Sequence, residues 1–228
     1  MGKRDSVMKA ATVLDQTEYH NIRFPHDPRR AGVWRAIARY LQPWVDASEP
    51  LLELGAGYGE FTREIRASSK WALDQNPALA AHWDPSVQAL FQSALDPWAI
   101  PDASLGTVFA SNFLEHFTLE EGAQILAQIQ CKLRPGGRFI AIQPNFRLEP
   151  HRYFDDYTHR TAYTDAGFQD FLRSLGWRVE HAEPRFTPFT MKSRLPTAEW
   201  LVSLYLALPY RPLAGQFLVV ATRPAGSI

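Results

Sequence analysis

The stretch Leu51-Leu52-Glu53-Leu54-Gly55-Ala56-Gly57-Tyr58-Gly59 decides the fold of this chain of 228 residues. An apolar run that contains one acid is followed by three glycines at alternate positions, and then by Phe61 and Ile65 at helical spacing. Glycine permits the positive φ angles of a tight strand-to-helix turn, and its missing side chain leaves room for a nucleoside against the backbone. The stretch therefore predicts a buried strand, a ligand-binding turn and a helix.

A second acidic signal follows in Trp71-Ala72-Leu73-Asp74, which is typical of a short buried strand that ends in a carboxylate. Doubly wound nucleotide-binding folds hold a ribose by its hydroxyls at this place. The two signals together predict a cofactor that contains a nucleoside, with Asp74 at its ribose.

The rest of the chain alternates short apolar runs with helical patterns, as in a parallel sheet covered on both faces. The predicted strands are 50–54, 70–74, 87–91, 106–111 and 137–143, with a final pair at 177–184 and 216–222. The predicted helices are 29–41, 59–67, 77–82, 118–132 and 165–175.

With these motifs the chain resembles the class I S-adenosylmethionine-dependent methyltransferases. Their first motif, an acid, one residue and alternate glycines, matches residues 53–59, whereas nicotinamide-binding folds favour G-x-G-x-x-G. The likeness continues through residues 109–116 and 133–139 and covers most of residues 50–223. It implies an α/β fold: a doubly wound, Rossmann-like sheet of seven strands, the last antiparallel, with helices on both faces.

The resemblance implies S-adenosylmethionine as the cofactor. The glycines would line its methionine and ribose portions, Glu53 would brace the loop, and Asp74 would accept from both ribose hydroxyls. The family's adenine-binding acid is replaced here by the stretch 92–95, so Asp96 is the best substitute. The predicted cofactor-binding residues are Glu53, Gly55, Ala56, Gly57, Gly59, Asp74, Gln75, Asp96 and Asn112.

The acceptor side is predicted at the carboxyl edge of the sheet, which brings together Asn112, Glu115, His116 and the segment after Pro144. His116 could take the proton of the acceptor, with Glu115 orienting it or binding a metal. A similar Glu-His pair lies beside a divalent ion in the ubiquinone-pathway O-methyltransferases. The alternative is that both residues cap the following helix and pack against the loop.

A second polar cluster spans residues 151–159. A carboxylate beside a histidine raises its basicity and fixes its tautomer, which favours a catalytic base here. The alternatives are a polar loop that caps the helix beginning near Thr164 and a metal site at His151-Asp155-His159, and we assign no metal ligand. The predicted catalytic residues are His116, His159, Asp155, Asp156 and Tyr153.

Composition limits the partners and the compartment. Lys plus Arg and Asp plus Glu both number 24, which argues against nucleic acid or an anionic membrane as the main partner. The lone cysteine, Cys131, excludes an internal disulfide and is predicted to be buried in a helix. Residues 1–11 lack the apolar core of a signal peptide and no run could span a bilayer, so we predict a cytoplasmic protein.

One domain is expected overall. Residues 1–45 form an N-terminal arm and helix, and the arm at 19–30 either lies near the cofactor mouth or is an exposed leader. Residues 46–228 form the methyltransferase domain, with a helical insertion near 192–212. The apolar stripe Trp200, Leu201, Leu204, Tyr205 and Leu208 packs on the sheet, or serves as a lid, a homodimer surface or a peripheral membrane contact.

The predicted function is transfer of a methyl group to oxygen on a small-molecule, sugar, glycan or lipid-linked acceptor. The finer likeness, to bacterial enzymes of sugar, glycan or lipid-linked intermediates, rests on residues 153–159 and 192–196. The alternatives are a catalytically inactive S-adenosylmethionine-binding module and a nucleotide-dependent oxidoreductase. Nucleic-acid methylation is disfavoured because residues 111–114 lack the Asn/Asp-Pro-Pro-aromatic motif that grips a flipped base.

Overall fold

The computed structural model describes residues 25–188 and 197–223. Its seven strands form one sheet in the order β3-β2-β1-β4-β5-β7-β6. Strands β1 to β5 pair in parallel, and β7 runs antiparallel to β5 and β6. The predicted doubly wound sheet with its antiparallel last strand is therefore confirmed. The strands are β1 Leu51–Leu54, β2 Lys70–Asp74, β3 Gln88–Phe91, β4 Leu105–Ser111, β5 Leu133–Pro144, β6 Arg178–Glu183 and β7 Gln216–Thr222.

Five α-helices are described: α1 Arg30–Leu41, α2 Glu60–Glu64, α3 Leu119–Lys132, α4 Asp165–Ser174 and α5 Glu199–Leu206. The segment Pro77–His82, predicted as helical, is a 3-10 helix whose first turn is capped by the Asn76 side chain. Helix α2 is shorter than predicted because Ile65 already has an extended conformation. Further 3-10 turns occur at Gln42–Trp44, Leu114–His116 and Tyr153–Asp155.

Helix α3 shows how sequence sets an element boundary. Thr118 and Glu121 form a reciprocal capping box at its start, which satisfies two backbone donors. Its end at Lys132 leads directly into β5, four residues before the predicted start at 137. Leu133 joins the sheet early because it pairs with Leu105 across an irregularity in the β4–β5 register.

The sheet separates two hydrophobic clusters, one on each face. Leu52 and Leu54 of β1 point into the larger cluster, with α3 and α4. Leu51 points into the other, where it meets Trp34 and Ile37 of α1. The predicted packing of the N-terminal helix beside the first strand is confirmed.

The prediction that Cys131 is buried is wrong, because this side chain is exposed. Helix α3 buries Ile125, Leu126 and Ile129. A helix advances about 100° per residue, so the position two residues after Ile129 lies on the opposite face.

The predicted buried stripe of the insertion is also wrong in part. Helix α5 packs against α1 and turns Val202, Tyr205 and Leu206 into the hydrophobic cluster that α1 shares with one face of the sheet. Trp200 and Leu204 remain 68% and 57% exposed. Ion pairs from Glu199 to Arg35 and Arg39 of α1 fix this orientation.

Some predictions lie outside the described residues: those for residues 1–11, for the first half of the arm at 19–30, and for the motif at 192–196. In the described part of the arm, His26 stacks on His82 and meets the edge of Tyr58. Within residues 25–188 and 197–223, no helix is long and apolar enough to cross a bilayer.

Candidate functional site

A cavity of about 520 Å³ opens at the carboxyl ends of β1, β2 and β4. Parallel sheets of this kind bind ligands at this edge, where the strand order reverses. The predicted site residues that line the cavity are Glu53, Gly55, Ala56, Gly57, Asp74, Gln75, Asn112 and His116. The cofactor and acceptor motifs of the sequence therefore meet in one space.

The glycine turn between β1 and α2 is left-handed at all three alternate positions, with φ of 63°, 52° and 67° at Gly55, Gly57 and Gly59. A Cβ at Gly55 would lie 2.6 Å from the Phe113 ring, and one at Gly59 would lie 2.7 Å from Trp83. A Cβ at Gly57 would meet no protein atom within 4 Å. Aromatic packing thus demands glycine at the outer two positions, and the room for a ligand is at Gly57.

Asp74 joins the end of β2 to this turn. Its Oδ2 accepts a hydrogen bond from the Gly57 amide, and its Oδ1 accepts one from the Asn76 amide, both at 2.9 Å. A carboxylate has about four lone-pair sites, so it can accept further hydrogen bonds from hydroxyls in the cavity.

Glu53 braces the first turns of α2. Its Oε2 accepts from the amide of Thr62 at 3.0 Å and from the hydroxyl of Thr62. Burial raises the pKa of Glu53 to about 8, so the side chain is mostly protonated at neutral pH. The contact with a backbone amide agrees with the expected bracing role.

The structure does not bring Asp96 to the cavity. Its side chain is exposed in the loop after β3, whereas Ala94 is buried and lines the cavity. Gly59 also lies outside the lining.

His116 stands at the acceptor side of the cavity. Its Nδ1 is 2.9 Å from the hydroxyl oxygen of Thr158, which donates to Oδ1 of Asp156 at 2.6 Å. Burial, and secondarily the nearby His159, lowers the pKa of His116 to about 4. The ring is therefore neutral at pH 7, and hydrogen bonds through Thr158 connect it to the buried carboxylate of Asp156.

The other predicted catalytic residues lie behind or beside this series of hydrogen-bonded side chains. Tyr153 is fully buried; its hydroxyl donates to the Thr161 carbonyl and accepts from the Tyr163 amide, which gives it a role in packing. Burial raises the pKa of Tyr153 further above its ordinary range. Asp155 is exposed, and the hydroxyl of Thr158 connects Asp156 to His116.

His159 faces Glu115, with Nε2 at 3.9 Å from Oε1. Glu115 is fully buried, and neither carboxylate oxygen has a hydrogen-bond partner among the described residues. Burial raises the pKa of this carboxyl well above its usual value, which favours its neutral form.

The donor atoms of Glu115, His116 and His159 lie within 4.8 Å of one another. Bonds of about 2.1 Å would bring any two ligand atoms on one ion to within about 4.2 Å of each other. These side chains would have to move closer together to hold an ion at such distances. That no residue of this chain is a metal ligand stays a prediction.

Sequence reasoning did not name the cavity residues Glu60 and Arg160. It placed Tyr157 in the polar cluster 151–159, and it placed Arg30 in the arm 19–30, for which the cofactor mouth was one alternative. Glu60 directly follows the glycine turn, and its position could have pointed to it. Arg30 lines the cavity, which agrees with the first of the two alternatives for the arm.

The comparisons with known proteins agree with this geometry. Residues 52–141 match the family model described as a methyltransferase domain. The order and directions of the seven strands match the Rossmann-like fold of the class I methyltransferases. A search of the curated proteins gave no match.

Solved structures with the same fold include three that span most of the chain. A SAM-dependent methyltransferase from Archaeoglobus fulgidus is 18% identical, with a TM-score of 0.66 over 92% of this chain and 100% of its own. A second, from Mesorhizobium loti, is 19% identical, with a TM-score of 0.60 over 82% and 96% of the two chains. The geranyl diphosphate C-methyltransferase of Streptomyces coelicolor A3(2), solved with Mg²⁺, geranyl diphosphate and S-adenosyl-L-homocysteine, is 13% identical, with a TM-score of 0.58 over 82% and 80%.

The predicted enzyme class, a methyltransferase, is therefore confirmed, as is the predicted fold. S-adenosylmethionine is the cofactor of this class. The acceptor subtype belongs to the proposal that follows.

Proposed function

We propose that this methyltransferase transfers the methyl group of S-adenosylmethionine to an oxygen of a small-molecule, sugar, glycan or lipid-linked acceptor. One observation carries the proposal: the glycine turn, Asp74 and His116 line the same cavity. The first two suit a nucleoside cofactor, and the third suits a hydroxyl that must lose a proton.

The cofactor half is argued from Gly57 and Asp74. Gly57 leaves the turn open to the cavity, and Asp74 keeps accepting capacity beyond its bonds to two backbone amides. A ribose whose hydroxyls donate to Asp74 would lie against this turn.

The acceptor half is argued from His116. The cofactor supplies an electrophilic methyl group on a sulfonium. The residues of this chain would hold the acceptor oxygen in line with it and exclude water. As the new carbon–oxygen bond forms and the carbon–sulfur electron pair stays with sulfur, the hydroxyl proton would pass to the neutral imidazole of His116.

Tyr157 and Arg160 support an acceptor with a sugar or lipid-linked character. Both line the cavity on the His116 side, and Tyr157 is 60% exposed. An exposed aromatic face offers apolar contact to a sugar ring, and a guanidinium suits a phosphate or carboxylate.

Calorimetric titration with S-adenosylmethionine, S-adenosylhomocysteine and NADH tests the cofactor half. We expect binding of the two sulfur compounds only, weakened by at least about tenfold in Asp74→Ala because hydrogen bonds to a charged acceptor are lost. Asp102→Ala, an exposed loop carboxylate that pairs with Lys132, is the matched control. NADH binding by folded protein, with no binding of either sulfur compound, would favour the oxidoreductase alternative.

His116→Gln tests turnover, with nucleotide sugars and glycolipids as first acceptors. We expect intact S-adenosylhomocysteine binding and a loss of about 10²-fold or more in kcat. Turnover that survives this change at full rate would exclude His116 as the base. A wild-type protein that binds cofactor but methylates no acceptor would favour the inactive module.

A further inference from the structure

Helix α5 and the loop that follows it form an apolar surface. Trp200 and Leu204 lie one helical turn apart on the outer side of α5, and each is more than half exposed. The loop is held against the helix, because the hydroxyl of Tyr205 donates to the carbonyl of Pro212 at 2.9 Å. Five large apolar side chains of this surface are 39–68% exposed and are named here the α5 patch: Trp200, Leu204, Leu208, Tyr210 and Leu213.

The segment that carries the α5 patch is almost free of charge. Residues 200–213 contain no aspartate, glutamate or lysine, and their one charged residue, Arg211, is buried. A large apolar patch that a folded protein leaves in water is typical of a contact with another protein or with a membrane. Two of its five members are Trp and Tyr, which are enriched where proteins meet the headgroups of a bilayer.

Arginines border the α5 patch at the start of the helix. Arg35, Arg39 and Arg66 line a surface groove together with one acid, Glu64. Arg35 and Arg39 also pair with Glu199, the first residue of α5, and their side chains remain 48% and 69% exposed. Three guanidiniums beside two carboxylates leave this border with a net positive charge.

A further arginine borders the α5 patch beyond the end of the helix. The guanidinium carbon of Arg185 lies 4.8 Å from the centre of the Tyr210 ring. Apolar side chains with a basic border suit an anionic bilayer, because the apolar groups enter the boundary of headgroups and acyl chains while guanidiniums bind lipid phosphates.

We propose that the α5 patch binds the surface of an anionic lipid bilayer. Trp200 and Leu204 would enter the boundary between headgroups and acyl chains, and Arg39 and Arg185 would contact lipid phosphates. The inference goes beyond the proposed function, and it holds whichever acceptor is methylated.

The same surface suits a second copy of this chain less well. A dimer with two-fold symmetry would place the α5 patch and its arginines against a surface with the same basic border. Like charges that meet across an interface disfavour association, whereas the phosphates of anionic lipids attract them. Charge complementarity therefore favours the bilayer.

The start of α5 also lies next to the cavity wall. A Cβ at Gly32 of α1 would lie 2.6 Å from the carbonyl oxygen of Thr197, just before α5. Arg30 and Trp34, on either side of Gly32 in the sequence, both line the cavity. A bilayer bound at α5 would therefore lie close to the cavity.

Sedimentation of the full chain with lipid vesicles tests the proposal. The vesicles contain either phosphatidylcholine alone or phosphatidylcholine and phosphatidylglycerol in equal parts. We expect at least about tenfold tighter binding to the anionic vesicles, and weaker binding in added salt, because salt screens the arginines.

Two variants test the two parts of the surface. We expect the double variant Trp200→Ser/Leu204→Ser to bind anionic vesicles at least about tenfold more weakly, because its apolar contact is lost. We expect Arg39→Gln to bind them about threefold more weakly or worse, with no change on neutral vesicles.

Leu119→Ser is the matched control, because Leu119 is 49% exposed at the start of α3, on the other face of the sheet. We expect it to bind anionic vesicles as the wild type does. If the double variant does not fold by circular dichroism, Leu204→Ser alone replaces it and should weaken binding by about threefold.

Three outcomes would overturn the proposal: no binding of the wild type to anionic vesicles, equal binding to neutral ones, or unchanged binding by the double variant. A dimer in analytical ultracentrifugation that the double variant dissociates would assign the α5 patch to a second copy instead. Vesicle binding needs no S-adenosylmethionine, so its failure is distinguishable from a failure of the proposed function.

Discussion

His116 combines burial with a place in the cavity wall, and this couples its chemistry to the stability of the protein. Its pKa falls from an ordinary value of 6.5 to about 4 on folding, chiefly because burial disfavours the charged ring. Between these pH values the unfolded chain binds more protons than the folded one, so stability rises with pH and is lost as pH falls toward 4. We expect His116→Gln to remove roughly 2 kcal/mol of this acid destabilisation between pH 7 and pH 4.5, measured by urea unfolding at the two pH values.

His151→Gln is the control at the residue scale, since His151 is exposed in the neighbouring segment. Its stability should follow the wild-type pH dependence. If the unfolding free energy changes equally with pH in wild type and in His116→Gln, then His116 binds protons equally in the folded and the unfolded state.

At the scale of the element, the glycines of the turn between β1 and α2 differ in what they support: Gly55 chiefly supports folding, and Gly57 chiefly supports cofactor binding. Alanine in a left-handed conformation costs about 1–2 kcal/mol at either Gly55 or Gly57. At Gly55 the added methyl must also displace Phe113, so we expect a total loss of about 3 kcal/mol or more in unfolding free energy. At Gly57 the methyl enters the cavity, so we expect only the conformational cost, together with at least tenfold weaker S-adenosylhomocysteine binding, about 1.4 kcal/mol.

Urea unfolding and calorimetry on the two variants check this division. Similar losses of stability at both glycines, or unchanged cofactor affinity in Gly57→Ala, would contradict it.

Elements were predictable from the sequence where local periodicity decides them. The runs that form β1 and β4 are buried on both faces, and the capping box at Thr118 marks the start of α3 within its own turn. The start of β5 was missed because Leu133 joins the sheet through its distant partner Leu105.

Within the site, the sequence indicated Asp74 because it ends the strand β2, and His116 because it lies shortly after β4. It could not indicate the contact of Arg30 with Glu60, or that Asp156 acts through Thr158. Both depend on how separate elements pack, and no spacing along the chain encodes that. Asp96 shows the converse: its spacing after β3 was suitable, but the loop turns it toward solvent.

For the whole molecule, Arg211 ties three parts of the structure together. Its guanidinium donates to Glu183 of β6, to the hydroxyl of Tyr40 on α1 and to the carbonyl of Leu206 at the end of α5. Arg211 is buried, so its loss would leave a largely buried carboxylate without its cation. We expect Arg211→Met to lower the unfolding free energy by about 3–5 kcal/mol in urea titrations.

Arg178→Met is the comparison for that change, because Arg178 pairs with Glu180 on the same strand but is largely exposed. Its loss should cost at most about 1 kcal/mol. If Arg211→Met lowers the unfolding free energy by less than about 1 kcal/mol, then water stabilises the Glu183 carboxylate as well as the guanidinium does.

The position of β7 has a consequence for synthesis of the chain. This strand comes last among the described elements, yet it lies between β5 and β6 and is buried along its whole length. While a ribosome is still making it, β5 and β6 have no partner on their shared side, and unpaired edges of this kind invite aggregation. The nascent protein therefore cannot complete its sheet until β7 has left the exit tunnel of the ribosome.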